Sequence, residues 1–258
     1  MLELDKIHCG DNCDLLGQLP RECIDLVVTS PPYDDLRTYG GHSWDFFGVA
    51  WQLKRVLKPG CVIVWVVADA TKDGSETGSS FEQALHFKRL GLNLHDTMIY
   101  ASDKPPQNGN RYEQQWEFVF VFSVGAPKSW NLIREDARRA GHLTGKYYKA
   151  DGAMKDAYNP GATGADRVRG NIWWYPTGRV GDARGLHPAM FPFDMARDHI
   201  ATWSNPGDLV LDPFSGSGTT AKAAKELGRR FLGMDINPEY CAIAERRIAQ
   251  QVLELEAV

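Results

Sequence analysis

Apolar positions along this chain follow two rhythms that alternate from one end to the other. Residues 24–28 and 61–68 are nearly continuous runs of branched apolar side chains, the pattern of strands buried on both faces. Between them Phe46, Phe47, Val49, Ala50, Leu53, Val56 and Leu57 recur at helical spacing and stop at Lys58-Pro59-Gly60. A second amphipathic helix is expected over 81–90, closed by Gly91, and a pair of strands over 98–101 and 117–123. From His187 the order resumes: a helix to about Trp203, a strand over 208–211, and a helix over 219–227 capped by Gly228. A strand over 230–234 and a helix from 238 to about 253 complete it. Strands alternating with helices predict an α/β domain built on a parallel sheet covered on both faces.

The middle of the chain breaks the rhythm. Residues 124–186 show little periodicity, many glycines and scattered Arg, Lys, Tyr and Trp; their one apolar cluster, 172–176, reads as a core strand. The division expected is therefore 1–123, an insertion over 124–186, and 187–258. Charge sharpens it. The net charge is −4, yet 128–184 holds eleven Lys/Arg against six Asp/Glu, a local +5 that leaves −9 elsewhere. That segment is the candidate for meeting a polyanion.

Bulk composition, 43% hydrophobic and 24% charged, is that of an ordinary globular protein. No apolar run approaches the roughly 18 residues of a membrane span, and Met1-Leu2-Glu3-Leu4-Asp5 lacks the basic-then-apolar start of a secretory signal. Cys9, Cys13, Cys23, Cys61 and Cys241 form no C-x-x-C pair. Reduced thiols, a cytoplasmic location and no metal are expected.

Two stretches carry chemistry. Thr29-Ser30-Pro31-Pro32-Tyr33 ends the strand at 24–28 abruptly, because Pro32 has no N–H and holds Pro31 extended. Fixed carbonyls, a hydroxyl and an aromatic face then project beyond a strand end. They suit a planar ring with an exocyclic amine, stacked on Tyr33 with its two N–H groups aimed at Ser30 and the carbonyls. Taken alone, the stretch is equally readable as a Pro-Pro turn without a ligand.

The second stretch runs from Leu209 through Asp212-Pro213-Phe214-Ser215-Gly216-Ser217-Gly218-Thr219-Thr220, a strand, a Gly-rich turn and a helix start. Such a turn admits a ligand close to the backbone outside the strand end, and Asp235, nineteen residues after Gly216, can accept from ribose hydroxyls. Gly216 to Ala221 also satisfies the G-x-G-x-x-A pattern of nicotinamide enzymes. Against that reading, only 37 residues follow Ala221, too few for a second mononucleotide half. Asp212 at the mouth of the turn would also repel a pyrophosphate while welcoming an ammonium. S-adenosylmethionine, an adenosine carrying an amino-acid cation, fits better.

Together, TSPPY and the later DPFSGSGTT resemble the β class of amino-methylating DNA methyltransferases, in which the catalytic motif precedes the cofactor motif. Gly10-Asp11, Leu57-Lys58-Pro59-Gly60, Glu117-Phe118-Val119-Phe120, the HPAMFP stretch from His187 and Gly233-Met234-Asp235 fit the same family. The resemblance covers most of 4–123 and 187–250. It implies a Rossmann-like methyltransferase fold: a mostly parallel seven-stranded sheet with helices on both faces, circularly permuted motifs and an inserted target recognition region.

By the same resemblance, Ser30, Pro31, Pro32 and Tyr33 form the catalytic site. Asp212, Phe214, Gly216 and Gly218 line the methionine end of the cofactor, with Thr29, Pro213, Thr219 and Thr220 in the same pocket. Asp235 holds the ribose, Asp11 lies by the adenine, and His187 and Phe191 close the pocket. Arg37, Tyr39, Arg138, Arg139, Lys146, Arg167 and Arg169 are the candidates for contacting double-stranded DNA. A homodimer and a cognate restriction endonuclease are further family expectations.

The exocyclic amine is a poor nucleophile until hydrogen bonds to both its protons free the lone pair. Ser30 and the Pro31 carbonyl are suited to that, and proton loss follows methyl transfer because a serine is no general base near neutral pH. The base must be flipped out of the duplex. Relatives with Ser at position 30 mostly methylate cytosine N4 and those with Asp mostly adenine N6, so the expectation is cytosine N4. An RNA or protein methyltransferase, or a DNA-binding module with a dead site, remain the rival classes.

Overall fold

The computed structural model describes residues 2–33, 44–103, 111–136, 146–148, 154–156, 166–176 and 191–249. Arg37, Tyr39, Arg138, Arg139 and His187 lie outside the described residues, as does the side chain of Lys146. The chain begins with β1 (Lys6–Cys9), α1 (Asn12–Gly17), β2 (Ile24–Thr29), α2 (Phe46–Val56) and β3 (Leu57–Val67). A small hairpin, β4 (Thr71–Lys72) and β5 (Ser75–Glu76), leads to α3 (Ser79–Arg89), β6 (Asn93–Ala101) and β7 (Trp116–Ser123). Four short strands follow: β8 (Arg134–Asp136), β9 (Lys146–Tyr148), β10 (Met154–Asp156) and β11 (Asp166–Val168). Then come β12 (Ile172–Trp174), α4 (Phe193–Trp203), β13 (Leu209–Asp212), α5 (Thr219–Glu226), β14 (Arg230–Asp235) and α6 (Pro238–Ala249).

Eight strands form the main sheet in the order β1-β14-β13-β2-β3-β7-β6-β12. Every pairing is parallel except the two made by β7, which alone runs the other way. The sheet thus has one strand more than the seven expected. The extra strand is β12, read from sequence as core but placed at the sheet edge, parallel to β6. Its alternation explains the position: Trp173 and Tyr175 are buried, with Trp173 stacked on His199 at 4.7 Å, while Ile172 and Trp174 face outward.

Alternate residues of each strand serve the two faces. Ile63, Trp65, Val67, Phe120 and Phe122 pack with Leu16 of α1, Val49 and Leu53 of α2 and Phe87 of α3. Trp65, Phe87 and Phe122 are each fully enclosed, and burying a side chain of that size stabilises by about 1.5–3 kcal/mol. Helices α4 and α5 cover the other face over β2, β3 and β13. Helix α2 passes into β3 without an intervening turn; the bend comes at Gly60, whose φ is +73°.

The chain divides into two compact units, Met1–Asn131 with Asn171–Val258, and Leu132–Gly170. The smaller unit contains two antiparallel ladders, β8 with β11 and β9 with β10. Among the described residues no helix is long and apolar enough to cross a membrane.

Candidate active site

Strands β2 and β13 are 183 residues apart in sequence at their facing ends but are hydrogen-bonded neighbours in the sheet. Both polar motifs therefore emerge side by side. Thr29, the last residue of β2, donates its hydroxyl to Asp212 Oδ1 at 2.6 Å, and the Phe214 amide donates to the same oxygen at 3.0 Å. Thr220, in the first turn of α5, donates to the Val28 carbonyl at 3.3 Å. Burial pushes the Asp212 carboxyl up to about 6; the hydrogen bonds it accepts oppose that, and the charge of Asp235 adds to it.

Beyond Asp212 the backbone turns through Gly216 and Gly218, with φ of +49° and +78°. The Gly216 amide donates to Asp235 Oδ2 and the Asn237 amide to Asp235 Oδ1, both at 2.8 Å. The end of β1 joins this group: the Gly10 amide donates to the Asp235 carbonyl at 3.0 Å, and Asn12 Nδ2 donates to the Pro213 carbonyl at 3.3 Å. Asp11 is the N-cap of α1, accepting from the Cys13 and Asp14 amides at 2.8 and 3.1 Å.

After β2 the chain runs on through the two prolines. Ser30 Oγ lies 2.9 Å from the Tyr33 phenol, which donates to Glu117 Oε2 at 2.8 Å. Tyr33 thus reaches past the end of β3 to the start of β7. The structure brings Thr29, Asp212, Pro213, Gly216, Thr220 and Asp235 into one bonded group, with Asp11 one residue from it.

Other expected residues stand differently. The Phe214 ring meets Trp44 at 4.8 Å and Trp65 at 6.3 Å, so it belongs to the edge of the aromatic core. Phe191 is half-buried just ahead of α4. Arg167 and Arg169 belong to the smaller unit, where Arg167 forms an ion pair with Glu135 at 2.7 Å.

Two residues of the group carried no role in the sequence reading. Glu117 is the single charge in the apolar strand Trp116–Ser123, a signal that was available. Arg247 is buried on α6, and its guanidinium donates to the Ser217 carbonyl, to Ser217 Oγ at 3.0 Å and to Thr219 Oγ1 at 3.4 Å. Its spacing from Ala244 and Cys241 puts it on the buried stripe of that helix, which was also legible.

The donor set decides what the site can hold. A buried acid at the mouth of a Gly-rich turn attracts a cation and refuses a pyrophosphate, and a carboxylate at the end of the next strand, as Asp235 is, is the group type that accepts from vicinal hydroxyls. The residues present fit an adenosine bearing an amino-acid cation.

Comparison with known proteins agrees. The DNA methylase family profile for N6 and N4 amino-methyltransferases matches residues 24–246. The orphan methyltransferase M.BamHII of Bacillus amyloliquefaciens is 48% identical over 239 residues, covering 89% of this chain and 90% of that one. Type II methyltransferase M.BglII of Bacillus subtilis is 30% identical over 251 residues, covering 93% of this chain and 68% of that one. Among solved structures, TTHA0409 of Thermus thermophilus complexed with S-adenosyl-L-methionine superposes with a TM-score of 0.65 at 25% identity, covering 95% and 93% of the two chains.

Proposed function

Because the chain belongs to the N6/N4 family of DNA methylases, and is thus a DNA methyltransferase that uses S-adenosylmethionine, we propose that it methylates cytosine at N4 in duplex DNA, with Ser30 and the Pro31 carbonyl as acceptors for the target amine. The observation that carries this reading is the 2.6 Å bond from Thr29 to Asp212. It ties the residue before Ser30 to the cofactor turn, so an amine held by Ser30 lies beside whatever Asp212 holds.

In this reading Asp212 attracts the ammonium of the methionine end, and Gly216 and Gly218 leave room along the backbone. Asp235 accepts from the ribose, and Asp11, half of whose carboxylate caps α1, stands near the adenine. The bound cofactor supplies a methyl group made electrophilic by the sulfonium. The chain's own residues do the rest. Tyr33 stacks on the flipped base, a contact of about 1–3 kcal/mol by analogy with single-strand binders. Ser30 and Pro31 would accept both amine protons and so free the nitrogen lone pair toward the methyl group that the cofactor would supply. The serine at position 30 supports cytosine as the base. The basic stretch 128–184 supports DNA contact, with phosphates fixing position and bases fixing specificity.

Replacing Ser30 tests the assignment. Ser30→Ala should retain cofactor and DNA affinity, measured by calorimetry and fluorescence anisotropy, and lose turnover by about 100-fold or more. A Ser30→Ala protein that methylates at the wild-type rate would remove Ser30 from the reaction.

A further inference from the structure

Glu117 is a charged side chain in a strand of otherwise apolar residues, half-buried, with its carboxylate turned to the site. Burying a charge part-way is costly without a partner, and the Tyr33 phenol is a partner to it here. That contact fixes the direction of a short chain. Tyr33 has one proton and gives it to Glu117 Oε2 at 2.8 Å, so the 2.9 Å contact between Ser30 Oγ and the phenol has Ser30 as donor. With its own proton committed to Tyr33, Ser30 Oγ presents only lone pairs to an amine. The polarity that Ser30 needs as an acceptor is thus set by a carboxylate two hydroxyls away.

We propose that Glu117 is a positioning residue for Ser30 and the final acceptor of the proton that leaves the methylated amine. This rests on the reading of Ser30 given above. Once the nitrogen carries the methyl group it is cationic and has a proton to lose. Its N–H bond breaks with the electron pair remaining on nitrogen, and that proton bonds to Ser30 Oγ. The proton already on Ser30 passes to the Tyr33 phenol oxygen, and the phenol proton passes to Glu117 Oε2. Ser30 and Tyr33 end as the neutral hydroxyls they began as; only Glu117 changes, from carboxylate to acid. While positive charge is still developing on the amine, the same chain is polarised toward it, and hydrogen bonds in series strengthen one another. Loss of the carboxylate therefore slows the methyl transfer itself. This gives the proton an exit that a serine alone cannot provide.

Single-turnover methylation of a duplex, with enzyme in excess over DNA and a labelled methyl donor, tests the relay in wild type, E117Q, Y33F and the double variant. Glu117→Gln keeps an oxygen to accept the Tyr33 proton, so Ser30 stays oriented, but it cannot take up a proton. Each single variant should be slower by about 100-fold. The double variant should be about as slow as the slower single one, because both act in one chain. Cofactor affinity by calorimetry, DNA affinity by anisotropy and the fluorescence of a flipped 2-aminopurine should not change. Glu117→Asp should recover part of the rate. An E117Q protein as fast as wild type overturns the relay alone. So does one whose rate falls only in step with its DNA or cofactor affinity, since that marks a structural role. A wild-type protein that forms no methylated nucleoside removes the reading of Ser30 and the relay with it.

Discussion

A carboxylate as enclosed as Asp212 stays useful only through the groups that donate to it, the Thr29 hydroxyl and the Phe214 amide. Burial lifts its pKa to about 6, against about 3.9 for an aspartate in an unfolded chain. The folded protein therefore holds this proton more tightly than the unfolded chain does. Its contribution to stability is fully present below the unfolded value and is lost as pH rises through about 6. With Asp212 in its proposed role, cofactor binding runs the opposite way, because only the anion attracts an ammonium. S-adenosylmethionine affinity should fall as pH drops through about 6, and Asp212→Asn should bind more weakly with that pH dependence removed. Without ligand, Asp212→Asn should melt higher than wild type above that pH, the gap closing in acid. Calorimetry and thermal melts on either side of it check both signs. Ser30 and Asp212 stood out in the sequence because each sits where a strand ends in prolines or a Gly-rich turn, and Asp235 because it ends the next strand nineteen residues after Gly216. Glu117 and Arg247 showed in the sequence only as a charge in an apolar strand and a basic residue on a buried helical stripe; their partners lie 84 and 30 residues away, brought in by the sheet order for Glu117 and by the packing of α6 against α5 for Arg247.

At the level of elements, the turn between β13 and α5 is shaped as much by α6 as by its own glycines. A Cβ on Gly218 would stand 2.7 Å from the Ala244 Cβ, in a backbone conformation with φ of +78°. Gly218→Ala must therefore strain the turn or displace α6, at a cost of about 1–3 kcal/mol, and should weaken cofactor binding in calorimetry as the turn shifts. Gly125, whose φ is +74° but which has nothing within 4 Å, is the control: Gly125→Ala should leave cofactor affinity unchanged. The alternation of strands and helices was readable because long apolar runs and helical stripes differ in period. The eighth strand was harder. It is three residues long, too short for a period to declare itself, and its place at the edge follows from pairing with β6. The fold in turn makes the reversed strand β7 matter, since its reversal delivers its first residues, Glu117 among them, to the end of the sheet where β2 and β13 finish.

For the whole molecule, net charge misleads and distribution informs. The chain is at −4 overall, yet the stretch 128–184 is at +5. Among the described residues of the smaller unit within it, Leu132–Gly170, the strands are three residues long, too short for a period to announce. The larger unit carries both motifs and the whole eight-stranded sheet. In the function proposed above, a base amine presented to Ser30 receives a methyl group from the cofactor beside Asp212. The most direct measurement is to incubate the protein with mixed-sequence duplex DNA and methyl-labelled S-adenosylmethionine, digest the DNA to nucleosides and identify the labelled one by mass spectrometry. N4-methylcytosine is the expected product. Labelled N6-methyladenine would contradict the choice of base, and DNA without any labelled nucleoside, from protein that still binds the cofactor, would contradict the account as a whole.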